Sequence, residues 1–230
     1  TCDAGGKILD KSAGFKLDPL ILNEVLDEFR GEIKQVPPMV SAVRHQGKRL
    51  YQLAREGKEI ERKARRIYIY ELNILRLQRG LAYPRLVCDI KCSKGTYVRS
   101  ICADLGEKLG CGAFMSFLVR TASGPFLLEN ALTLEEIKEM WMRKDLSFML
   151  PIDYALRDIP ALTVKEKAVP HILNGQPLAP SGILGGIGKN KMPEFVRLYS
   201  PGGKLLSLGN YCSTDEGEWH YKPKKVFASS

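Results

Sequence analysis

Cys92-Ser93-Lys94-Gly95-Thr96-Tyr97-Val98-Arg99-Ser100-Ile101-Cys102-Ala103-Asp104-Leu105-Gly106 stands where one periodicity gives way to another. Upstream, Arg85 to Lys91 alternates, with Leu86, Cys88 and Ile90 on one face and Val87 on the other, the period of a strand. Downstream, Val98, Ile101, Cys102, Leu105 and Leu109 recur at helical spacing and form an apolar stripe that stops at Gly110. Ser93 to Thr96 is a turn between the two. The reading is strand, turn, helix, with Tyr97 and Arg99 at a junction held by two rigid elements. Tyrosine offers an aromatic face and a weak acid; arginine offers a planar cation that pairs bidentately with carboxylate or phosphate. Spacing by itself favours a plainer role, in which Tyr97 packs and Arg99 is a surface residue of the helix.

Working outward toward the N-terminus, Ile67, Ile69, Leu72 and Ile74 lie with Tyr68 and Tyr70 in a β-rich run and predict a second strand. Leu22, Val25, Leu26 and Phe29 predict a helix over 18–29, with Asp18 as N-cap, Pro19 at the first helical position and Gly31 closing it. Gln35-Val36-Pro37-Pro38-Met39 is extended, because a residue before proline is excluded from the helical region. Leu50 to Arg55 predicts a short helix ending at Gly57. Thr1 to Lys7 looks like the inside of a turn between two extended stretches. A chain beginning within such a pattern is expected to be a fragment or a processed product.

Toward the C-terminus, Phe114 to Arg120 predicts a short strand, and Thr133 to Arg143 a helix with Thr133 as N-cap and Glu136 completing a capping box. Ile159-Pro160 punctuates the chain, and a domain boundary is expected between about Tyr154 and Thr163. Beyond it a helix over 165–173 precedes Asn174-Gly175. Phe195 to Tyr199, Lys204 to Tyr211 and Trp219 to Val226 are short strands separated by proline and glycine. Such spacing predicts a compact β-barrel-like module.

The composition bounds the function. The 230 residues carry a net charge of +9 and are 44% hydrophobic. A folded chain of this length with that excess of Lys and Arg points to a polyanionic partner, nucleic acid or anionic membrane. No apolar run approaches the roughly 20 residues of a membrane span, and nothing at the N-terminus resembles a signal peptide. The six cysteines form no C-x-x-C pair and no zinc spacing. They are read as reduced, mostly buried side chains of a cytosolic protein. Asp104, Glu107 and the three histidines form no ligand pattern, so no metal is expected.

Arg44 to Arg66 is the most basic stretch. Arg44, Lys48, Arg49, Arg55, Lys58, Arg62, Lys63, Arg65 and Arg66 stand against Glu56, Glu59 and Glu61. A charge run is usually a solvated face, but His45 and Tyr51 interleave these cations, which favours RNA, where stacking adds to phosphate contacts.

Four ordered blocks carry a family resemblance. Lys94-Gly95-Thr96-Tyr97-Val98-Arg99 looks like the K-G-T-Y-[IV]-R motif of pseudouridine synthases. Gln35-Val36-Pro37-Pro38-Met39-Val40-Ser41-Ala42 matches Q-x-P-P-x-x-S-A. Gly47-Lys48-Arg49-Leu50-Tyr51 with Ala54-Arg55-Glu56-Gly57 matches G-x-R-L-Y-x-x-A-R-x-G. Leu109-Gly110-Cys111-Gly112-Ala113 and Leu118-Val119-Arg120-Thr121-Ala122-Ser123-Gly124 match L-G-x-G-A and L-x-R-T-x-x-G. In this order and spacing the chain resembles the bacterial tRNA pseudouridine synthase B (TruB) family. More weakly, Ile172-Leu173-Asn174-Gly175 and Val196-Arg197-Leu198-Tyr199 resemble a PUA domain, a small RNA-binding barrel.

The resemblance implies an α+β pseudouridine synthase fold, a mixed and largely antiparallel sheet with flanking helices, followed by the PUA barrel. It implies a catalytic-domain portion over 1–158, with a basic thumb over about 35–66, and an RNA-binding domain over 159–230. The implied activity is isomerisation of uridine-55 in the tRNA T loop to pseudouridine, with no cofactor, in a cytoplasmic monomer that needs no protein partner and no membrane. Tyr97 is implied to lie against the flipped base, Arg99 to pair with a catalytic aspartate, and Leu118 to line the uridine pocket. Arg44, His45, Lys48, Arg49, Tyr51, Arg55, Arg65, Arg66, Lys94 and Arg120 are implied to hold RNA. An RNA-guided archaeal or eukaryotic relative is disfavoured by the bacterial look of Leu105 to Gly112.

The chain departs from the pattern at one point. The family's nucleophile lies in a G-x-L-D-P-x-A-x-G motif, upstream of a stretch that Thr1 to Gly6 resembles, and these residues do not contain it. Leu17-Asp18-Pro19-Leu20 is a decoy, because Ala-x-Gly does not follow. The chain by itself is therefore expected to be inactive, and Arg99, lacking that aspartate, to turn toward solvent or recruit an anion. The alternative is a non-catalytic RNA-binding protein that retains the synthase fold.

Overall fold

The computed structural model describes residues 2–6, 15–79, 83–186, 192–214 and 217–227, so Thr1 and Lys7 of the expected N-terminal turn lie outside the described residues. The chain divides into two compact units, Thr1–Val119 and Arg120–Ser230.

In the first unit, α1 (Pro19–Asp27) starts where Asp18 accepts a 2.8 Å hydrogen bond from the Leu20 amide. Asp18 is thus the helix cap that the sequence predicts. Leu22, Leu26 and Phe29 on one stripe are almost fully buried, each contributing about 1.5–3 kcal/mol of apolar burial. They pack on Ile69 and Leu72 of β4 (Arg65–Gln78) and on Ile101 of α3 (Val98–Lys108). β4 is the centre of an antiparallel sheet between β1 (Gly31–Gln35) and β5 (Arg85–Cys92). Its register places Gln35 opposite Arg65 and Lys34 opposite Arg66. Between β1 and β4 the chain forms a small hairpin, β2 (Arg44–His45) and β3 (Lys48–Arg49), and the helix α2 (Leu50–Arg55).

Gly106 explains the Leu109 to Ala113 block. A Cβ at Gly106 would lie 2.0 Å from the Ala113 nitrogen, and the Gly106 carbonyl accepts from the amides of Cys111 at 3.0 Å and Gly112 at 2.9 Å. The loop after α3 therefore sits directly on the helix backbone.

In the second unit, β6 (Ala122–Ser123) and β7 (Phe126–Leu127) form a tight hairpin. α4 (Leu134–Met142) carries the predicted capping box, with Thr133 and Glu136 satisfying each other's backbone amides. A five-stranded sheet follows, in the order β12-β11-β10-β8-β9. Its strands are β8 (Ala161–Val164), β9 (Ile183–Gly185), β10 (Phe195–Tyr199), β11 (Leu205–Ser213) and β12 (Trp219–Val226). β8 runs parallel to β10, and the helix α5 (Val169–Leu173) packs against the sheet core through Ile172. Leu178 bridges to Tyr221 on the outer edge of β12.

Several expectations are corrected. Phe114 to Arg120 is not a strand: Met115 makes a single parallel bridge to Asp3, and Phe114, Phe117 and Val119 stay exposed for want of a neighbouring strand among the described residues. The predicted helix over 165–173 splits into a 3-10 turn, Glu166–Ala168, and α5. Pro170 has no amide to donate, so it fits only the first turn of a new helix. The cysteines are less buried than expected: Cys2 is exposed and the other five are half-buried. Burial still pushes the Cys88 thiol up to about 11, which keeps it neutral.

The compact units also divide earlier than the expected boundary. Arg197 of β10 donates to the Ile159 carbonyl at 2.8 Å and lies 3.6 Å from Asp153, and Tyr199 donates to Asp153. These bonds tie the residues just before β8 to the sheet that follows.

Candidate functional site

The site is built on the first turn of α3. β5 ends at Cys92, and the chain reverses through Gly95, whose φ of +84° is a conformation that favours glycine. The turn is fixed on both sides: Ser93 accepts from the Tyr68 amide at 2.9 Å, and Thr96 donates to the Ser93 carbonyl at 2.9 Å. Tyr97 is the N-cap residue of α3, in extended conformation, with no side-chain cap of its own. Its carbonyl accepts from the amides of Ser100 at 3.0 Å and Ile101 at 3.2 Å.

The stretch that follows β1 docks on this turn. Gln35 is 3% exposed. Its side-chain oxygen accepts from the Tyr97 amide at 2.8 Å, and its side-chain nitrogen donates to the Tyr97 carbonyl at 3.1 Å. Arg99 donates to the Val40 carbonyl at 2.8 Å, and Arg62 to the Pro37 carbonyl at 3.1 Å. Prolines cannot join a β-ladder, so the Gln35–Val40 segment is held by side chains instead.

Arg99 does not turn to solvent. Its guanidinium lies 3.1 Å from the Asp3 carboxylate, which corrects the expectation drawn from the absent aspartate. Asp3 is positioned locally. The Met115 amide donates to the Cys2 carbonyl and the Ala4 amide to the Met115 carbonyl, both at 3.0 Å, and Asp3 accepts from the Gly5 amide at 3.2 Å. Both side chains of the pair are mostly shielded from solvent, which weakens screening and makes either partner costly to remove. Asp3 was not singled out from the sequence. The signal was present in the Thr1 to Gly6 block, but nothing local connects positions 96 residues apart.

The cationic residues form one neighbourhood around the hairpin and α2. Arg44, His45, Lys48 and Arg49 occupy β2 and β3. Tyr51 lies in the first turn of α2, with the Arg49 and Arg55 guanidinium carbons 6.0 and 5.5 Å from its ring centre. Lys48 is held by Glu56 at 3.2 Å, whereas Arg44, Arg49, Arg55 and Arg65 have no acidic partner among the described residues. Arg65 stands opposite Gln35 in the β1–β4 register, so the arm ends beside the α3 turn; Arg66 pairs with Glu32 at 3.3 Å. Lys94 is exposed on the turn itself. Leu118 is 55% exposed, so these residues alone do not enclose it. Arg120 is exposed and is the first residue of the second unit. Among the described residues no cluster of three His, Cys, Asp or Glu side chains could hold a metal, and no helix is long and apolar enough to cross a membrane.

With this geometry in view, the comparisons with known proteins are informative. Residues 1–98 match the model of the TruB family pseudouridylate synthase N-terminal domain, and residues 99–157 match that of the tRNA pseudouridylate synthase B C-terminal domain. The tRNA pseudouridine synthase B of Syntrophomonas wolfei is 43% identical over 213 residues, covering 92% of this chain and 68% of the relative. That of Moorella thermoacetica is 39% identical over 226 residues, covering 98% and 74%. Among solved structures, a chain of a Cbf5-Nop10-Gar1 complex superposes with a TM-score of 0.72 at 26% identity, covering 94% of this chain and 64% of that one. An H/ACA RNP bound to a substrate RNA containing 2'-deoxyuridine matches with a TM-score of 0.70 at 23% identity, a likeness of fold. The motif blocks, the strand–turn–helix that presents Tyr97 and Arg99, and these relatives agree: the chain belongs to the tRNA pseudouridine synthase B family.

Proposed function

We propose that this chain supplies the RNA-gripping and base-facing part of a synthase that isomerises uridine-55 in the T loop of tRNA. The reaction detaches the base from its sugar, turns it and rejoins it through carbon. The uridine must first leave the loop stack, at a cost of a few kcal/mol, and be held in a pocket. Tyr97 lies against the flipped base. Arg99 is the fixed cation of the pocket, and Leu118 is its apolar wall. Arg44, His45, Lys48, Arg49, Tyr51, Arg55, Arg65, Arg66, Lys94 and Arg120 hold the T arm. Residues 159–230 form a PUA-like module that adds contacts to the tRNA. The protein works as a cytoplasmic monomer without a cofactor.

A nucleophilic carboxylate is required. Asp18 caps α1, and Asp3, though paired with Arg99, lies outside the family's G-x-L-D-P-x-A-x-G motif. On this reading the nucleophile belongs to that motif, which these residues do not contain. The observation that carries the proposal is the Arg99–Asp3 pair next to Tyr97, tied through Val40 to the segment that leads into the basic arm, where Arg44, Arg49, Arg55 and Arg65 have no acidic partner among the described residues.

The test incubates unmodified T-arm RNA with the 230-residue chain and with the full-length gene product, and detects pseudouridine by carbodiimide labelling and primer extension. Only the full-length product is expected to turn over. Arg99→Ala and Asp3→Asn in it should each lower the rate roughly a hundredfold, as expected for breaking a shielded ion pair. Turnover by the 230-residue chain that vanishes in Asp18→Asn would overturn the assignment. RNA binding without turnover in the full-length product would favour a non-catalytic RNA-binding protein.

A further inference from the structure

We infer that Gln35 is a positioning residue for the reaction, setting the placement of Tyr97 and Arg99 through a two-bond clamp on the Tyr97 backbone. The inference rests on the reading that Tyr97 and Arg99 face the uridine. Gln35 is the last residue of β1 and is 3% exposed, yet it lies among side chains that mostly reach solvent. Both ends of its amide are used on one residue: it accepts from the Tyr97 amide at 2.8 Å and donates to the Tyr97 carbonyl at 3.1 Å. This is the pairing that a neighbouring strand would give, made by a side chain.

The position of the clamp matters. Tyr97 is the residue at which the chain passes from turn to helix, and its φ of −102° and ψ of 103° set the direction in which α3 departs. Arg99 lies one peptide inside that helix and is bonded to Val40, further along the segment that Gln35 begins. A slip at Tyr97 would move the ring and the guanidinium together. Displacements of about 1 Å at reacting groups cost up to about a hundredfold in rate.

The chemistry of the clamp gives it a signature. The Tyr97 backbone offers one donor and one acceptor, so its partner must offer the reverse pair. An amide does, and so does a protonated carboxyl; a carboxylate only accepts, and would face the Tyr97 carbonyl oxygen. Gln35→Glu is therefore a switch that leaves shape almost unchanged. Below the pKa of the introduced carboxyl both bonds form; above it one is replaced by repulsion. Burial moves that pKa up. The neighbouring ionisable groups are Arg65 across the β1–β4 pair, Arg62 on Pro37, and Arg99 with Asp3. The arginines stay charged at every working pH and add no limb of their own. Asp3 and Tyr97 are common to the wild type, whose profile is measured in parallel.

The experiment measures kcat and KM of the full-length gene product on T-arm RNA against pH, for wild type, Gln35→Glu and Gln35→Met, with the Tm of each. Amide exchange protection at Tyr97, normalised to the intrinsic rate, is measured in the 230-residue chain. Gln35→Glu is expected to lose roughly tenfold in kcat at high pH and to recover as pH falls. Its KM should stay near the wild-type value, and its Tm should match the wild type in acid and fall at high pH, because a carboxyl whose pKa burial raises destabilises the fold once it ionises. Gln35→Met should lose at least as much at every pH, and Tyr97 protection should fall and recover in step with kcat. Unchanged kcat in both variants would overturn the inference, as would a loss in Gln35→Glu that tracks Tm and does not recover in acid. If the wild type makes no pseudouridine, the tRNA reading fails instead, and Tyr97 protection alone then decides whether the clamp exists.

Discussion

In the second unit, a five-stranded sheet with α5 against it withdraws Val164, Ile172, Val196 and Leu198 completely from solvent. In the first, the β1–β4–β5 sheet is covered by α1 and α3 on one face, while Tyr68, Tyr70, Leu75 and Val87 stand exposed. The five-stranded sheet and α5 use their inward side chains to fill a core of their own. The one-sided sheet keeps the end of a helix and a long segment near solvent, and there the polar clamps gather: Gln35 on Tyr97, Asp3 on Arg99, Arg62 on Pro37. The first unit thus keeps room near solvent for polar groups that the filled interior of the second does not offer.

The largest expected effect tests whether the two cores are separate. Leu198→Ala removes a fully buried side chain from the second unit. It should cost that unit roughly 2–5 kcal/mol and lower its Tm by about 10 °C or more. Amide exchange in α1 and β4 should stay at wild-type protection. Equal loss of protection in both units would mean one cooperative structure, and the contrast drawn above would fall.

A smaller effect sharpens the role of the cationic arm. Arg65 is unpaired among the described residues and Arg66 shares Glu32 at 3.3 Å. Replacing both with Gln should flatten the slope of log affinity against log salt for a T-arm stem-loop by about 1–2, since each neutralised phosphate contributes roughly 0.7–0.9. An unchanged slope would reduce the arm to a solvated face and leave only the α3 turn to distinguish the first unit.

The smallest effect is local. Hydrogen bonds from Lys58 and then Lys48 hold the Glu56 carboxyl below its ordinary value. A lowered folded-state pKa means that the interaction is fully present above the unfolded value and is lost as pH falls through the folded one. Glu56 should therefore titrate late in an acid series followed by NMR, and Lys48→Gln with Lys58→Gln should move it back up. No movement would show that the arm's internal pairing is not maintained in solution.

Much of the candidate site was legible in the sequence because its determinants are local. Gly95 marks the turn before α3, Asp18 and Pro19 mark the start of α1, and Thr133 with Glu136 marks that of α4, each through a contact within a few residues. Tyr97 and Arg99 are marked by their place at the strand–turn–helix junction and by the motif blocks. The errors arose where a propensity needed a partner. Phe114 to Arg120 has β-forming residues, but among the described residues it makes a single bridge, Met115 to Asp3. β8 and β9 leave no periodic signal in the sequence because they are short and owe their existence to β10 and to each other.

By itself, then, the sequence determined the periodic elements, their caps and turns, the basic arm and the identity of the groups at the head of α3, all of which depend on spacing along one stretch of chain. Only the tertiary structure decided which distant groups complete them. It brought Asp3 to Arg99, Gln35 to Tyr97 and Asp153 to Arg197. Those pairings follow from how helices and strands pack, and packing energy is summed over both partners, so neither segment encodes the contact alone.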